Sequence, residues 1–324
     1  MVSQAIDARG SKKPFIMRKG ISVLADLADG QQAANIALQG AKTVFYCEGN
    51  SGSDTSDGLS WDTAFKTLTV ALAASNADIA VNSQGWASRN VILCKADAFT
   101  EDLVLLAQKT DVIGVGHHDR YQTGLIGNHV PTGATASYGT RFFNFHFMGD
   151  ATTGADIWTL DIYNVGLEFH NCFFDSFSGT AATAAIVAED AEDLKIVGCE
   201  FMGAFSDAVI ELSAGNSRGT RILSNYIEGA NDGIHINSSV IDSSGGNQRG
   251  ILIQGNVIRC ATYAILDSSN IAMIIDNRCM TAADLGAYGA GCITGNTQLG
   301  LNNWISGDDT DNNAWPVIGT LGAS

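Results

Sequence analysis

The chain has 324 residues, of which 45% are hydrophobic and 16% charged, a composition typical of a globular protein with a substantial core. Its 34 acidic and 18 basic side chains give a net charge of −16, which disfavours nucleic acids and polyanionic glycans as partners. The sequence has neither an apolar run of about 18 residues nor an N-terminal signal-peptide pattern, so we expect no membrane partner and no Sec-dependent secretion.

Residues 1–42 come before the first predicted strand. They mix apolar with small side chains and lack the core of a separate domain. We interpret them as an arm that docks on a partner or on another subunit. The segment that follows, FYCEGNSGSDTSDGLSWDTAFKTLTVALAASN (45–76), predicts a strand, a turn and an Ala-rich helix. The helix is predicted near 61–76 with Ser60 as its N-cap, and it would cover the open end of the fold.

Three kinds of residue in the sequence are candidate metal ligands: aspartates, cysteines and histidines. Asp54 and Asp57 in the GSDTSDG turn offer carboxylate oxygens, but they lack the spacing of a calcium loop, so we interpret them as turn residues. The seven cysteines form no Cys-x-x-Cys pair and no zinc-type spacing with histidine, which indicates buried thiols in a protein made in a reducing cytosol. His117 and His118 are interpreted as a loop pair. We therefore predict no metal and no other cofactor.

A short apolar segment recurs from residue 141 onwards. Its copies are RFFNFHF (141–147), LEFHNCFF (167–174), LKIVGCEF (194–201), TRILSNYI (220–227), ILIQGNVI (251–258), AMIIDNRC (272–279) and GCITGNTQ (291–298). Successive copies are 19 to 31 residues apart, which is the length of one turn of a solenoid. Alternating segments between the copies, such as AVIEL (208–212) and GIHIN (233–237), add another strand per coil. Stacked coils of two or three short strands would form parallel sheets.

One column of the aligned copies predicts an internal ladder. It contains Phe145, Cys172, Cys199, Asn225, Asn256, Asn277 and Asn296. An inward asparagine at a tight bend satisfies the backbone and hydrogen-bonds the asparagines above and below, while Cys or Phe fills the corner by packing. The position before it holds small or turn-forming residues. Cys172 and Cys199 would lie close enough for a disulfide, but cytosolic synthesis favours free thiols.

The segments 45–76 and RNVILCKADAFTEDLVLLAQKTDVIGVG (89–116), together with the repeats, resemble the right-handed parallel β-helix proteins of the pectin-lyase-like superfamily. The resemblance implies an all-β solenoid over 43–299, with the arm 1–42 before it and a C-terminal cap or tail, 300–324, after it. It is closest in kind to the β-helix proteins of phage virions and tailspikes. It specifies a fold and not a function, because enzymes and virion proteins share this architecture.

Catalytic residues were sought because some relatives implied by this resemblance degrade polysaccharides. A glycosidase needs two carboxylates about 5–9.5 Å apart. The carboxylates expected to project outward are Glu168, Glu200, Glu211, Asp232, Asp242 and Asp267. A lyase base would come from Lys195, Arg221, His170 or His235, but these do not form a dense basic groove. The polygalacturonase signatures are missing, so we predict no catalytic site and keep Glu168, Glu200, Glu211 and Asp267 as the candidates to examine.

The sequence therefore favours a non-enzymatic structural protein of a bacteriophage virion, either a capsid decoration (cement) protein or a surface spike. It would be made in the host cytoplasm and lie on the virion surface. The expected partners are further copies of the chain in a homotrimer and the major capsid or tail proteins. The alternatives are a tailspike-like depolymerase that hydrolyses or eliminates host surface polysaccharide, and a carbohydrate-binding β-helix without catalysis.

Overall fold

The computed structural model describes residues 41–81, 89–116, 123–132, 138–150, 154–160, 166–176, 182–229, 231–241, 243–244, 247–248, 250–269, 271–281, 293–294, 299–301, 303–306 and 316–317. Within these residues the chain winds through three long sheets and contains one α-helix. This is the all-β parallel β-helix that the sequence predicted. No helix in the described ranges has the length and apolar content needed to cross a membrane.

The coils supply short strands to each sheet. The first sheet pairs, in order, Ala41–Cys47, Arg89–Cys94, Thr110–Gly114, Arg141–Phe143, Glu168–His170, Lys195–Val197, Arg221–Leu223, Ile251–Gln254, Ala272–Ile275 and Leu299–Leu301. The second pairs Ala98–Thr100, Thr123–Ile126, Phe145–Met148, Phe173–Asp175, Glu200–Met202, Tyr226–Gly229, Val257–Cys260, Arg278–Thr281, Asn303–Ser306 and Pro316–Val317. The third pairs Trp158–Leu160, Ile186–Ala188, Ile210–Leu212, Ile234–Ile236, Ile265–Asp267 and Ile293–Thr294.

Nearly all of this pairing is parallel. The described exception within the long sheets is the last pair of the second sheet, where Pro316–Val317 runs antiparallel to Asn303–Ser306. Two small pairs lie outside the three sheets: Gly215–Asn216 with Val240–Ile241, and Ser243–Ser244 with Asn247–Gln248. Parallel strands joined by crossover connections are wound right-handed in nearly all proteins, which gives the solenoid its expected hand.

Side chains alternate between the core and the outer surface along each strand. In Ile251–Gln254, Ile251 and Ile253 are buried, whereas Leu252 and Gln254 are partly exposed on the opposite face. This is the period of two that a strand imposes on its side chains. The same inward positions recur in every coil, so the buried residues form one continuous core along the solenoid.

The backbone is left-handed at both corners that flank the first sheet. Just before the ladder position, φ lies between 52° and 69° at Asn144, Asn171, Gly198, Ser224, Gly255 and Asp276. Before the strands of the first sheet, φ lies between 45° and 76° at Lys109, Gly139, Gly166, Asp193, Gly219 and Gly250. Glycine, asparagine and aspartate adopt this conformation most readily. The glycine inside ILIQGNVI is therefore a corner that turns the chain from the first sheet into the second.

The corner asparagines are joined in a row of buried hydrogen bonds. Asn256 Oδ1 accepts from the backbone N and from Nδ2 of Asn225, each at 2.9 Å. Asn277 Oδ1 accepts from the same two groups of Asn256, at 3.0 and 2.9 Å. The amide nitrogens of Asn256 and Asn277 also donate to the carbonyls of Ile222 and Ile253, at 2.9 and 3.0 Å. The row thus satisfies main-chain and side-chain groups of successive coils at once.

Cys172 and Cys199 occupy earlier positions in the same row. Their Sγ atoms lie 3.7 Å from the carbonyl oxygen of Phe142 and 3.5 Å from that of Phe169. These carbonyls are equivalent to the ones that accept from the asparagines. The cysteines therefore donate to the backbone as well as fill the corner, and they are free thiols like the other described cysteines.

Aromatic rings stack inside the solenoid between neighbouring coils. The rings of Phe174 and Phe201 are nearly parallel with centroids 4.5 Å apart, and those of Phe142 and Phe169 are stacked at 5.7 Å. Trp158 of the third sheet packs against Phe169 at 5.3 Å. Such pairs stabilise a core beyond their buried area.

The capping helix begins later than the sequence predicted. Residues Trp61–Thr63 form a single 3-10 turn whose N-cap is Ser60, and the α-helix itself, α1, is Leu68–Val81. Two carboxylates satisfy its N-terminus: Asp54 accepts from the backbone N of Lys66 and Thr67, both at 2.9 Å, and Glu101 accepts from Leu68 and Thr69, at 2.7 and 2.9 Å. Negative charge is favourable at this end of a helix. The buried side of α1 packs on the core at the end of the solenoid.

The final coil differs from the predicted alignment. Ile293–Thr294 pairs with Ile265 and Leu266 in the third sheet, so GCITGNTQ is not a copy of the first-sheet segment. Asn296 itself lies outside the described residues. Because Arg278 pairs with Trp304, the register places Asn303 one coil after Asn277, and the ladder role of Asn296 stays a prediction. Strands Leu299–Leu301 and Asn303–Ser306 pair with the first and second sheets, so described strands of both sheets extend past residue 299.

Candidate functional site

A column of charged side chains runs along the outer face of the first sheet. Strand register places Asp111, Arg141, Glu168, Lys195 and Arg221 side by side on successive coils. Asp111 binds two arginines: Arg89 Nη2 and Arg141 Nη2 each lie 2.6 Å from one of its carboxylate oxygens. These charges hold neighbouring coils together, so we name this row the charge column.

Glu168, a candidate catalytic acid, belongs to the charge column. Its two oxygens lie 2.5 Å from Lys195 Nζ and 2.7 Å from His170 Nε2. Burial alone would raise the pKa of Glu168, but the hydrogen bonds from His170 and Lys195 outweigh it and lower the pKa to about 2. A carboxyl group this acidic is ionised throughout the physiological range and does not act as a proton donor. The contacts of Glu168 are therefore those of an ion-pair partner and do not suit a general acid.

Replacing Glu168 with glutamine is expected to lower the free energy of unfolding at pH 7 by about 1–2 kcal/mol, discounted for the solvent around Lys195. Because the pKa of Glu168 is below its ordinary value of 4.5 in the folded state, this stabilisation is complete above pH 4.5 and disappears as the pH falls toward 2. Urea unfolding at pH 7 and pH 2.5 measures it. Glu200→Gln is the matched control, and an equal loss in both variants would contradict the ion-pair explanation.

The remaining catalytic candidates do not meet in one cleft. Glu200 points outward from the second sheet between Phe173 and Tyr226, away from the faces that carry Glu168 and Glu211. No ion pair to its carboxylate is found within the described ranges.

Asp267 was expected to project outward, and this is wrong. Ile265 and Asp267 both point inward, and Asp267 is fully buried. Its carboxylate accepts from the backbone N of Ala272 at 3.0 Å and from Ser269 Oγ at 2.9 Å, which closes the turn between the third and first sheets. Asp242 lies outside the described residues, as do His117 and His118.

A second group of acids does come together, on the third sheet. We call Asp156, Asp207, Glu211, Asp232 and His235 the third-sheet acid cluster. Glu211 and His235 are register partners whose side chains face outward between buried neighbours. The three aspartates lie in the turns that lead into third-sheet strands. Neighbouring coils of a parallel sheet are about 4.8 Å apart, and the charge of Asp207 acts on Asp156, Glu211 and Asp232.

The electrostatics of the third-sheet acid cluster are those of crowded carboxylates. Burial raises the pKa of Asp156, Glu211 and Asp232, and the charge of Asp207 raises each of them further. His235 acts in the opposite direction on Glu211 and Asp232. Raised carboxyl pKa values are a mark of acid catalysts but also occur in purely structural clusters.

Some of these carboxylates are also bound to the backbone. Asp156 accepts from Ala184 N at 3.1 Å, and Asp232 accepts from Tyr263 N at 3.1 Å, each on the following coil. The sequence analysis identified Glu211 and Asp232 but not their grouping with Asp156 and Asp207. The signal was an aspartate recurring two or three residues before the third-sheet strands in ADIWTL, DAVIEL and DGIHI.

The possible calcium ligands have structural partners. Asp54 caps α1, and Asp57 Oδ1 accepts from Leu59 N at 3.0 Å. In the part of the chain that the structure describes, no group of three His, Cys, Asp or Glu residues is arranged to hold a metal ion.

No family model and no curated protein matches the sequence. Among solved structures, the chain is similar to pectate lyase Pel9A, with a TM-score of 0.47 and 10% sequence identity. The match covers 86% of this chain and 82% of the pectate lyase chain. It is also similar to ORF18 of Geobacillus virus E2, with a TM-score of 0.40 and 12% identity over 86% of this chain and 53% of the viral chain. The parallel β-helix itself follows from the register of this chain's own strands.

Proposed function

We propose that the chain is a structural protein of a bacteriophage virion, a decoration protein or surface spike in which the β-helix is a rigid projection. It acts without catalysis, and its partners are further copies of itself in a homotrimer and the capsid or tail proteins beneath it. The observation that carries this proposal is that the charged side chains of the first sheet and its corners link one coil to the next.

Three sets of ion pairs and hydrogen bonds link neighbouring coils through charged side chains. On the outer face of the first sheet, Arg89 and Arg141 both bind Asp111, and Lys195 binds Glu168 of the preceding coil. At a corner, Glu192 binds Arg218 and accepts from Asn216 Nδ2 at 2.6 Å. At the N-terminal end, Glu48 pairs with Lys95 across neighbouring coils. Buried or half-buried networks of this kind stiffen a solenoid whose stability comes from contacts between neighbouring repeats.

The dimensions suit a short projection. Ten first-sheet strands spaced about 4.8 Å apart give a rod on the order of 45 Å. The segment 1–20 carries five of the chain's 18 basic side chains and one acidic residue, although the whole chain has a net charge of −16. Such a segment is suited to attachment on an acidic neighbour, so we assign the anchoring role to it.

Particles purified from the virus that encodes the chain test the proposal. We expect the protein to co-purify with particles in a fixed number of copies and to be lost when residues 1–20 are deleted from the gene. Light scattering of the free protein should give three times the mass of one chain. A protein that is absent from particles or monomeric in solution would contradict the virion or the trimer part of the proposal, respectively.

A depolymerase is the second candidate, and the raised carboxyl pKa values of the third-sheet acid cluster are the observation that favours it. Incubation with host capsule or lipopolysaccharide, followed by assays for new reducing ends and for unsaturated uronate, tests it. Turnover that is lost in Glu211→Gln and Asp232→Asn but kept in Glu200→Gln would overturn the non-enzymatic proposal.

A further inference from the structure

The outer face of the first sheet is shielded at one end. Val91, Leu93, Ile113 and Phe143 form an apolar cluster separate from the solenoid core, and we call it the outer patch. Their neighbours along the strands, including Ile92 and Val112, point into the core instead. The outer patch therefore faces away from the interior of the solenoid.

The burial of the outer patch is greater than a bare sheet surface allows. Val91 and Ile113 are each 1% exposed, Leu93 is 5% and Phe143 is 7%. At the other end of the same face, Met273 is 41% exposed, and Val197, Leu223 and Leu252 are only partly buried. All of these residues occupy outward positions of the same sheet, so among the described residues this face is shielded from solvent at its N-terminal end and open from Val197 to Met273.

Most described residues around the outer patch belong to the sheet itself, although the guanidinium of Arg141 lies over the Phe143 ring and Trp61 packs on Tyr46 at the edge. The partly buried apolar residues packed against it are Ala41, Val44, Tyr46 and Val115. His170 stacks on Phe143 with ring centroids 4.9 Å apart, and it too is an outward residue of the first sheet. Neighbours within one layer shield the flanks of a side chain and leave its outer end open.

We propose that residues 21–40 of the same chain cover the outer patch. This segment, ISVLADLADGQQAANIALQG, ends directly before Ala41, the first residue of the edge strand of this sheet. Apolar residues at Ile21, Leu24, Ala25 and Ala28 have the spacing of one helix face. As a helix the segment would be about 30 Å long, and the four strands under it are about 15 Å across.

Charge supports the same occupant. Arg89 and Arg141 border the outer patch and share the single carboxylate of Asp111, which leaves a net positive edge. The covering segment carries Asp26 and Asp29 and no basic residue. A segment of the chain's own sequence thus offers both the apolar face and the opposite charge that this surface needs.

The inference separates the N-terminal arm into two parts with different roles. Residues 21–40 cover the outer patch at the N-terminal end of the solenoid. Residues 1–20 remain to contact a partner, as in the function proposed above. The covering role does not depend on whether the protein belongs to a virion.

Thiol labelling in the full-length chain tests the covering role. A cysteine in place of Ile113 reports on the outer patch, and one in place of Leu252 reports on the open end of the same face. With the native arm we expect slow labelling at 113, and with Ile21→Asp and Leu24→Asp together at least a tenfold faster rate, read by peptide mass spectrometry. The rate at 252 should stay the same. The arm control is Gln31→Asp with Gln32→Asp, which adds the same charge at polar positions and should change neither rate.

Two results would overturn the inference. One is labelling at 113 that is equally slow with the disrupted arm. The other is labelling that accelerates on dilution with the native arm, because a second copy of the chain would then be the cover. If the arm variant fails to fold, a photocrosslinking residue at position 24 of an otherwise native chain decides. Crosslinks to peptides containing Leu93 or Ile113 within one chain support the inference, and crosslinks between chains or to other sheets contradict it.

Discussion

Replacing Asn256 with valine is expected to lower the free energy of unfolding by about 3–5 kcal/mol. The side chain of Asn256 makes four hydrogen bonds, and valine makes none of them. Two are donated to Ile222 O and Asn277 Oδ1, and two are accepted from the backbone N and Nδ2 of Asn225. All four partners lie in buried residues, so water does not replace the lost bonds.

Urea unfolding of two further variants identifies the ladder as the cause. Asn231→Val removes an exposed asparagine that donates to Ser206 O at 3.0 Å, and it should cost less than about 1 kcal/mol. Asn256→Cys restores the arrangement seen at Cys199, where a thiol donates to the preceding coil, so it should cost less than valine. A loss in Asn256→Val no larger than that in Asn231→Val would show that the ladder adds nothing to stability.

The ladder was predictable because its residues make local and repeated demands on the sequence. Each corner needs a residue that tolerates a left-handed backbone, and from Cys172 to Asn277 the next residue donates to the previous coil; the Gly255-Asn256 pair shows both. The local pattern does not specify which sheet a strand joins, as the last copy of the segment shows. An apolar pair before Gly-Asn identifies a strand and a corner but not the sheet, and Ile293 pairs with Ile265 in the third sheet.

The roles of the charged residues were less predictable than the fold. Glu168 and Asp267 both follow the alternation of a strand, yet one joins the charge column and the other turns inward. The sequence does not give the register between coils, because the loops that separate them vary in length. The grouping of Asp156 with Asp207 and Glu211 depends on that register, and only the structure reveals it.

Acid is expected to destabilise the protein through one buried histidine. His129 is fully buried, its Nδ1 accepts from Leu103 N at 3.2 Å, and its ring packs against Trp158 at 4.6 Å. Nε2 has no hydrogen-bond partner in the described part of the chain. Burial lowers the pKa of His129 from 6.5 to about 3, so the ring stays neutral in the folded state.

Stability falls with pH because the unfolded chain binds a proton that the folded chain does not. Below pH 6.5 the unfolded chain protonates this histidine while the folded chain does not, so stability falls by about 1.4 kcal/mol per pH unit until the folded pKa near 3 is reached. Between pH 7 and pH 4 this histidine alone should remove about 3 kcal/mol. In the lower part of this range the protein also loses the stability that Glu168 contributes, because the pKa of Glu168 is lowered in the folded state. It gains stability from Asp156, Glu211 and Asp232, because their pKa values are raised.

Comparison with His129→Asn isolates the histidine from these carboxyl groups. Asparagine keeps an acceptor for Leu103 N and takes up no proton, although the smaller side chain should cost about 1–3 kcal/mol at pH 7. Urea unfolding should therefore show the wild type more stable at pH 7, with the difference shrinking or reversing at pH 4. Two stability curves that stay parallel over this range would contradict this prediction, because the ring of His129 would then take up a proton in the folded protein as it does in the unfolded chain. The ring would in that case be in contact with water, contrary to its packing against Trp158 and Phe147.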